Sequence, residues 1–123
     1  MQNQSPKLKS DVRERAYRYS IDVIQFIDGL PTDMTGSVIT KQLVRCATSI
    51  GANLVESKGA GSKKEFAMFF SYSLRSANET LYWLGLLRDA KKVQHVRINE
   101  LIGEAQEISR IIGASLLTMR GQR

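Results

Sequence analysis

The residue types that usually carry enzyme chemistry are scarce in this 123-residue sequence. Its one histidine, His95, is interpreted as a partly exposed polar residue near a helix start, with acid, base or ligand chemistry as the alternative. Its one cysteine, Cys46, lies among apolar residues, which is typical of an inert core thiol. No glutamate has a histidine three residues later, as the di-metal carboxylate sites of helical bundles require. We therefore predict no enzyme activity, no metal site and no cofactor.

A second set of polar residues falls within apolar stretches. Arg45, Asn53 and Glu56 recur at helical spacing, and Arg75 and Glu79 do the same further along the chain. Buried charges need partners, so we interpret these five as a structural polar network, with Arg45 paired to Glu79 or Glu56 paired to Arg75. A pocket for a small anion or for RNA is the alternative.

Apolar residues recur every three or four positions, and this spacing predicts four helices, of which two precede residue 60. The first begins near Ser10, a good N-cap, and closes at Gly29 and Pro31. The second runs from about Ser37 to Lys58 and ends at Gly59, where a left-handed residue is expected. The predicted core stripe of the first helix is Val12, Ala16, Tyr19, Val23, Phe26 and Leu30.

The third helix has the strongest local start signal, because Ser62 and Glu65 form a capping box directly before Phe66. It is predicted to run to about Arg88, with a stripe of Ala67, Phe70, Leu74, Ala77, Leu81 and Leu84. The fourth helix is predicted from about Val96 to Met119, with a stripe of Ile98, Leu101, Ala105, Ile108, Ile112, Ser115 and Met119.

Long helices joined by short connections predict an all-α protein, an antiparallel up-down-up-down four-helix bundle. We expect one domain over residues 10–120, preceded by a flexible N-terminal arm at residues 1–9. The second helix is apolar or small nearly all round, and the third has a wide apolar face. Both need cover on more than one side, which favours a homo-oligomer.

The sequence also predicts a compartment. A single cysteine suits reducing conditions, and the polar first ten residues carry no apolar signal core. No stretch has the about 18 uncharged apolar residues of a membrane span. We expect a cytoplasmic protein with no membrane association.

The formal net charge is +6, and the predicted topology concentrates it. At the end where the first and third helices begin and the second and fourth finish, nine basic residues meet four acidic ones, an excess of +5. Such a pole favours phosphate contacts that are electrostatic and insensitive to sequence. A solvated rim that keeps the protein soluble is the alternative. The candidate nucleic-acid-binding residues are Lys7, Lys9, Arg13, Arg15, Lys58, Lys63, Lys64, Arg120 and Arg123.

Several blocks of the sequence resemble a small bacterial four-helix-bundle family. Residues 42–57, QLVRCATSIGANLVES, resemble its signature, residues 62–66 and 76–79 resemble its next blocks, and residues 15–31 resemble its first helix. Its members include proteins encoded in intervening sequences of 23S ribosomal RNA genes. They also include the accessory variability determinant of diversity-generating retroelements. The sequence departs from the family pattern at Val44, Cys46, Gly51 and Ser57.

The resemblance implies a ring-shaped homo-oligomer, typically a pentamer, with a basic surface suited to RNA or DNA. Together with the one-sided charge, it predicts a non-enzymatic protein that binds nucleic acid, RNA in preference to DNA, through its basic end. The alternative is a protein-interaction scaffold without a direct nucleic-acid role, such as an accessory subunit of a reverse transcriptase.

Overall fold

The computed structural model describes residues 8–31, 33–91, 93 and 96–121, with side chains from residue 12 onward. Four helices account for most of them: α1 (Leu8–Asp28), α2 (Met34–Ser57), α3 (Lys63–Ala90) and α4 (Val96–Met119). The described part of the chain contains no strand. The prediction of an all-α four-helix protein is therefore confirmed.

The ends of α1 and α4 follow from local backbone chemistry. α1 begins at Leu8, two residues before the expected N-cap, and it ends where the Gly29 and Leu30 N–H groups bond back to carbonyls of the last turn. Pro31 then stops the helix. α4 has the predicted bounds and is closed by Gly121, whose φ of 69° is the left-handed conformation that glycine permits.

α2 differs from the prediction at both ends. It begins three residues early because Asp33 is the N-cap, and its Oδ1 accepts a 2.7 Å hydrogen bond from the Gly36 N–H. Aspartate is a favoured cap residue, and the prediction from apolar spacing did not use it. At the other end, Gly59 does not adopt the expected left-handed conformation: among described residues the glycine with positive φ is Gly121. Lys58 ends the helix in a right-handed conformation instead.

The predicted start of α3 is confirmed. Ser62 is the N-cap in an extended conformation, with φ −156° and ψ 164°, and its hydroxyl accepts a 3.1 Å hydrogen bond from the Glu65 N–H. The Glu65 carboxylate in turn accepts from the Gly61 N–H at 2.6 Å. The helix continues to Ala90, two residues beyond Arg88.

The core of the bundle contains the predicted stripes of α1 and α4, with three differences. Leu30 at the end of α1 and Met119 at the end of α4 are only half-buried, and Leu116 takes the buried place expected for Ser115. Tyr19 crosses the core and donates a 2.8 Å hydrogen bond from its buried hydroxyl to the Leu101 carbonyl. Its phenol is thus buried with its hydrogen-bond requirement satisfied.

On α3 the predicted stripe is wrong at alternate positions. Ser73, Thr80 and Leu87 are buried, whereas Leu74 and Leu81 are only half-buried. The hydroxyls are tolerated inside because Ser73 donates to the Ile50 carbonyl at 2.8 Å and Thr80 to the Ser76 carbonyl at 2.7 Å.

Each helix packs against two others: α1 against α2 and α4, and α3 against α2 and α4. The start of α1 contacts the end of α2, and α1 also packs against α2 at Gly51, where an added Cβ would lie 3.5 Å from the Cβ of Ala16. The end of α4 reaches the start of α3, where Arg120 donates to Ser71 at 3.1 Å. These contacts bring one set of helix ends together.

Candidate nucleic-acid interface

An open groove of about 560 Å³ lies at the end of the bundle where α2 passes into α3. It is lined by residues 57, 58 and 60–63 of the α2–α3 connection, by Phe66 in the first turns of α3, and by Thr118 and Met119 at the end of α4. Three of the four helices therefore contribute to it.

Backbone and side-chain hydrogen bonds hold the α2–α3 connection in place. The N–H groups of Lys58, Gly59 and Ala60 each bond to a carbonyl three residues earlier, at 3.0 to 3.2 Å. On the other side, the Ser62 cap and the bond from Gly61 to Glu65 fix the start of α3. The polar backbone of this turn is therefore used internally, and the side chains of Lys58 and Lys63 are exposed.

Four of the predicted basic residues surround this groove or lie beside it. Lys58, Lys63 and Lys64 are exposed, and within the part of the chain that the structure describes their ammonium groups form no ion pair. Arg120 is also exposed and retains donors beyond its bond to Ser71. This end therefore presents a cluster of cations without carboxylate partners.

Arg13 lies next to this cluster but is tied to the end of α2. Its Nε donates to the Leu54 carbonyl and its Nη2 to the Ser57 hydroxyl, both at 3.0 Å. Partial burial lowers the pKa of Arg13 from its ordinary value, although an arginine stays charged throughout the accessible pH range. Its position suits a helix C-terminus, where a cation meets free carbonyl groups.

Arg15 does not belong to the exposed basic surface, contrary to the expectation from sequence. Its guanidinium makes two hydrogen bonds, of 3.0 and 2.8 Å, to the carboxylate of Glu104 on α4. The rotation of α1 in the bundle turns this side chain towards α4, which counting charges along the helix does not reveal. Without Arg15, the sequence-based excess at this end falls from +5 to +4.

The other predicted binding residues lie at the chain ends. Lys7 and Arg123 fall outside the described residues, and of Lys9 only the backbone, within α1, is described.

The five residues of the predicted polar network do not form one buried cluster. Arg45 pairs with Glu79, one of the two pairings that spacing suggested, but the pair is half-exposed. Glu79 also accepts a 2.9 Å hydrogen bond from the Trp83 indole, and this bond, followed by Arg45, lowers the pKa of Glu79. Asn53 bonds within its own helix, to the Ser49 carbonyl at 2.9 Å.

The alternative pairing is not formed. Glu56 is exposed, and the guanidinium of Arg75 lies 5.8 Å from the ring centroid of Tyr72. Among the described ion pairs, Glu56 with Arg75 does not occur.

Cys46, one of the two residues first considered for catalysis, does not line the groove. Cys46 is buried in the core beside Thr80, and desolvation raises the pKa of its thiol. His95 lies outside the described residues. No three His, Cys, Asp or Glu side chains of the described chain are grouped to hold a metal ion. None of its helices is long and apolar enough to span a bilayer.

Sequence reasoning missed Phe66 and Met119 as groove residues. Met119 was assigned to the core stripe of α4, and both residues are half-buried. The capping box places Phe66 in the first turn after the loop, but its exposure to the groove depends on where α4 ends.

Comparisons with known proteins agree with this architecture. A crystal structure of a protein of unknown function from the S23 ribosomal protein family, from Bacteroides thetaiotaomicron, is 26% identical with a TM-score of 0.82. The match covers 89% of this chain and 97% of that one. A search of curated proteins gave no match. A family model described as 23S rRNA-intervening sequence protein matches residues 8–114. The chain therefore belongs to the 23S rRNA-intervening sequence protein family.

Proposed function

We propose that this protein binds structured RNA, without catalysis, through the cationic end of its bundle. The observation that carries the proposal is that Lys58 and Lys63 line an open groove, with Lys64 next in the chain, and no carboxylate is paired to any of the three among the described residues. Lysines in this state are free to replace counterions along a phosphate backbone. RNA is preferred to DNA because the family is named for a ribosomal RNA insertion.

The topology that underlies this proposal is up-down-up-down with antiparallel neighbours. It is supported by pairs of cross-helix contacts in which numbering rises along one helix as it falls along the next. Between α1 and α2, Arg13 meets Ser57 and Ala16 meets Gly51. Between α2 and α3, Arg45 meets Glu79 and Ile50 meets Ser73. Between α1 and α4, Arg15 meets Glu104 and Asp22 meets Arg97. This arrangement brings the cationic helix ends to one pole.

We further propose that the protein assembles as a ring-shaped homo-oligomer, a pentamer. α1 exposes Tyr17, Ile21 and Ile24, which are 69%, 39% and 41% exposed and lie on one face, away from the core. A ring joins two different faces of each subunit, and α3, which does not pack against α1, exposes Tyr72 and Tyr82 as apolar side chains for a second contact. Light scattering tests the mass: five chains of 13.8 kDa give 69 kDa.

The proposed location is the cytoplasm, where RNA is present and a reducing environment keeps the buried Cys46 thiol unoxidised. This location also suits the proposal that no membrane takes part.

A charge-reversal experiment tests RNA binding. The variant K58E/K63E/K64E lowers the net charge from +6 to 0, and the control variant R18E/K41E/R110E lowers it by the same amount on other exposed surfaces. If the proposal holds, the first variant loses at least about tenfold in affinity for a structured RNA. The dependence of log affinity on log salt should also become shallower by about 2, because each lost phosphate contact removes about 0.7–0.9 from the slope.

The control variant should retain most of the wild-type affinity, and both variants should keep wild-type helicity and mass. Equal losses in the two variants would show that only net charge matters and would contradict a defined surface. Unaltered binding in K58E/K63E/K64E would contradict it as well.

A protein-interaction scaffold is the second candidate, and the exposed apolar face of α1 favours it. On this hypothesis a partner protein, such as a reverse transcriptase, covers Tyr17, Ile21 and Ile24. The discriminating observation is whether partner binding survives removal of RNA by ribonuclease. Survival, together with no affinity for RNA alone, supports the scaffold.

A further inference from the structure

Two hydrogen bonds join α3 to α4 along one side of the bundle, outside the core. Nη2 of Arg120 donates to the Ser71 hydroxyl at 3.1 Å, and the Ser109 hydroxyl donates to Oδ1 of Asn78 at 3.3 Å. All four residues are exposed or half-buried. The outer surface between these two bonds is here called the α3–α4 furrow, and its Arg120 end adjoins the cationic groove.

Arg75 lies on this surface. It follows Ser71 by four residues and precedes Asn78 by three, and both spacings keep residues on one face of a helix. Arg75 is exposed, and its guanidinium forms no ion pair in the part of the chain that the structure describes. The Tyr72 ring, with its centroid 5.8 Å from the guanidinium carbon, attracts the charge but leaves N–H donors for other partners. Arg75 therefore retains the charge and the donors to bind an anion.

The two helix segments that border the furrow contain no acidic residue. Residues 66–78 of α3 and 108–121 of α4 include neither aspartate nor glutamate. Glu107, just before the second segment, is paired with Arg110. The furrow is therefore a surface on which cations outnumber carboxylates.

Lys64 extends this line of cations to the pole. It lies eleven residues before Arg75, which is about three helical turns, so the two share a face of α3 and lie about 17 Å apart along its axis. Arg120 lies between them, at the level of Ser71. Phosphates of one strand of a B-form duplex recur about every 3.4 Å, so a line of this length can meet about five of them.

Gly113 leaves room for a strand to approach α4. It follows Ser109 by four residues and precedes Arg120 by seven, so it lies on the face of α4 that borders the furrow. An added Cβ at Gly113 would meet no atom within 4 Å. A backbone can therefore come closer to the helix here than beside a larger residue.

We propose that the RNA site continues from the cationic groove along the α3–α4 furrow, where Arg75 and Arg120 bind phosphates of one RNA strand as it passes Gly113. Charge complementarity favours this occupant, because a polyanion would neutralise cations that no carboxylate of the described chain meets. Arginine suits the role, since a guanidinium can bind one phosphate through two N–H groups. The inference rests on the proposed RNA-binding function and adds how the ligand lies, along the side of the bundle as well as across its end.

The tyrosines proposed for the ring contact lie beside this line of cations. Tyr72 is on the α2 side of α3, because Glu79, seven residues later, pairs with Arg45 of α2. Tyr82 lies four residues beyond Asn78, farther from the cationic end. A second copy of the chain that covered Arg75 as well is the competing occupant, and the experiments distinguish it from RNA.

Charge reversal at Arg75 tests the extended site. Arg75→Glu should weaken binding of a structured RNA hairpin by at least about fivefold and make the salt dependence of log affinity shallower by about 0.7–0.9. Lys41→Glu, the same charge change at an exposed residue of α2 with no ion pair among the described residues, is the control and should stay within about twofold of wild type. Equal affinities of the two variants overturn the inference.

A pair of glycine variants tests the close approach without changing charge. Gly113→Gln should weaken RNA binding by at least about fivefold, with helicity and mass unchanged. Gly103→Gln, at the other open glycine of this pair, lies six residues before Ser109 on another side of α4 and should bind like wild type.

A third measurement uses the wild-type protein alone. Phenylglyoxal modifies accessible arginines, and mass spectrometry locates the adducts. Arg75 should react in the free protein as readily as the exposed Arg18, and RNA should protect Arg75 and Arg120 but not Arg18. Protection of Arg75 before RNA is added would show that a second copy covers it, which overturns the inference.

The outcomes separate the two proposals. Loss of affinity in K58E/K63E/K64E, with wild-type affinity in Arg75→Glu and Gly113→Gln, overturns the furrow and leaves RNA binding at the pole intact. No binding of the hairpin by wild-type protein at low salt overturns both.

Discussion

The Ser57 hydroxyl, at the last residue of α2, lies 3.0 Å from Nη2 of Arg13 on α1, and it is buried. Ser57 also donates to the Leu54 carbonyl at 2.6 Å, the same carbonyl that accepts from Nε of Arg13. Arg13, Ser57 and Leu54 thus form a closed hydrogen-bonded set that joins the start of α1 to the end of α2.

Replacing Arg13 should weaken this junction. Arg13→Ala removes both hydrogen bonds and leaves a buried hydroxyl with one partner fewer, so we expect the free energy of unfolding to fall by about 1–3 kcal/mol. Urea denaturation followed by circular dichroism measures it. Arg18→Ala removes only an exposed pair with Glu14, and it should change the free energy of unfolding by less than about 0.5 kcal/mol. Similar values for the two variants would contradict a structural role for Arg13.

Arg15 should serve the bundle rather than RNA. Its two-pronged pair with Glu104 is 28% and 36% exposed, so a double-mutant cycle should give a coupling energy of about 0.5–1 kcal/mol. RNA affinity of Arg15→Ala should stay within about twofold of wild type, whereas Lys64→Ala should weaken it by about threefold or more. A larger loss of RNA affinity from Arg15→Ala than from Lys64→Ala would return Arg15 to the binding surface.

Gly51 should tolerate one methyl group and no more. A Cβ there would lie 3.5 Å from the Cβ of Ala16, an ordinary contact. Because alanine favours helix over glycine, Gly51→Ala should raise the free energy of unfolding by about 0.5–1 kcal/mol. Gly51→Leu would push α1 away from α2 and should lower the free energy of unfolding by about 1–3 kcal/mol. Gly103→Ala, in open space on α4, is the control and should give a gain like that of Gly51→Ala.

Glu79 should titrate at lower pH than an ordinary glutamate. The Trp83 indole, and then Arg45, lower the pKa of Glu79 in the folded protein. A carboxyl whose pKa is lower in the folded state than in the unfolded state stabilises the fold at pH values above its unfolded-state pKa. This stabilisation is lost as the pH falls through the folded-state pKa. Trp83→Phe should therefore raise the pKa of Glu79 towards its ordinary value, as measured by NMR titration of the side-chain carboxyl. Tyr82→Phe, at the neighbouring position, should leave the pKa of Glu79 unchanged.

Local signals in the sequence predict the helix ends better than the helix faces. Ser62 and Glu65 mark the start of α3 because an N-cap needs only residues within one turn. At the start of α2 no cap was assigned from the sequence, so the predicted start near Ser37 missed the cap at Asp33. The predicted core stripe of α3 was wrong because Ser73 and Thr80 are buried, with their hydroxyls bonded to carbonyls. A prediction from the spacing of apolar residues does not include such buried polar residues.

The candidate site was only partly predictable for a related reason. Charge counting placed Lys58, Lys63 and Lys64 at one end, because helix order alone decides that. The pairing of Arg15 with Glu104 depends on the rotation of α1 against a helix about ninety residues away. The exposure of Phe66 likewise depends on where α4 stops relative to the α2–α3 connection. Neither relation is encoded locally.

The seam between α1 and α4 has a consequence for how the bundle comes apart. The other three contacts of the bundle join helices that are consecutive in the chain, whereas the α1–α4 contact joins the first helix to the last. Forming the α1–α4 contact therefore costs the most chain entropy. Its interactions include two partly exposed salt bridges, Arg15 with Glu104 and Arg97 with Asp22. Native-state hydrogen exchange should accordingly find this seam opening before the rest, with the α2–α3 pair as the last part of the molecule to lose protection.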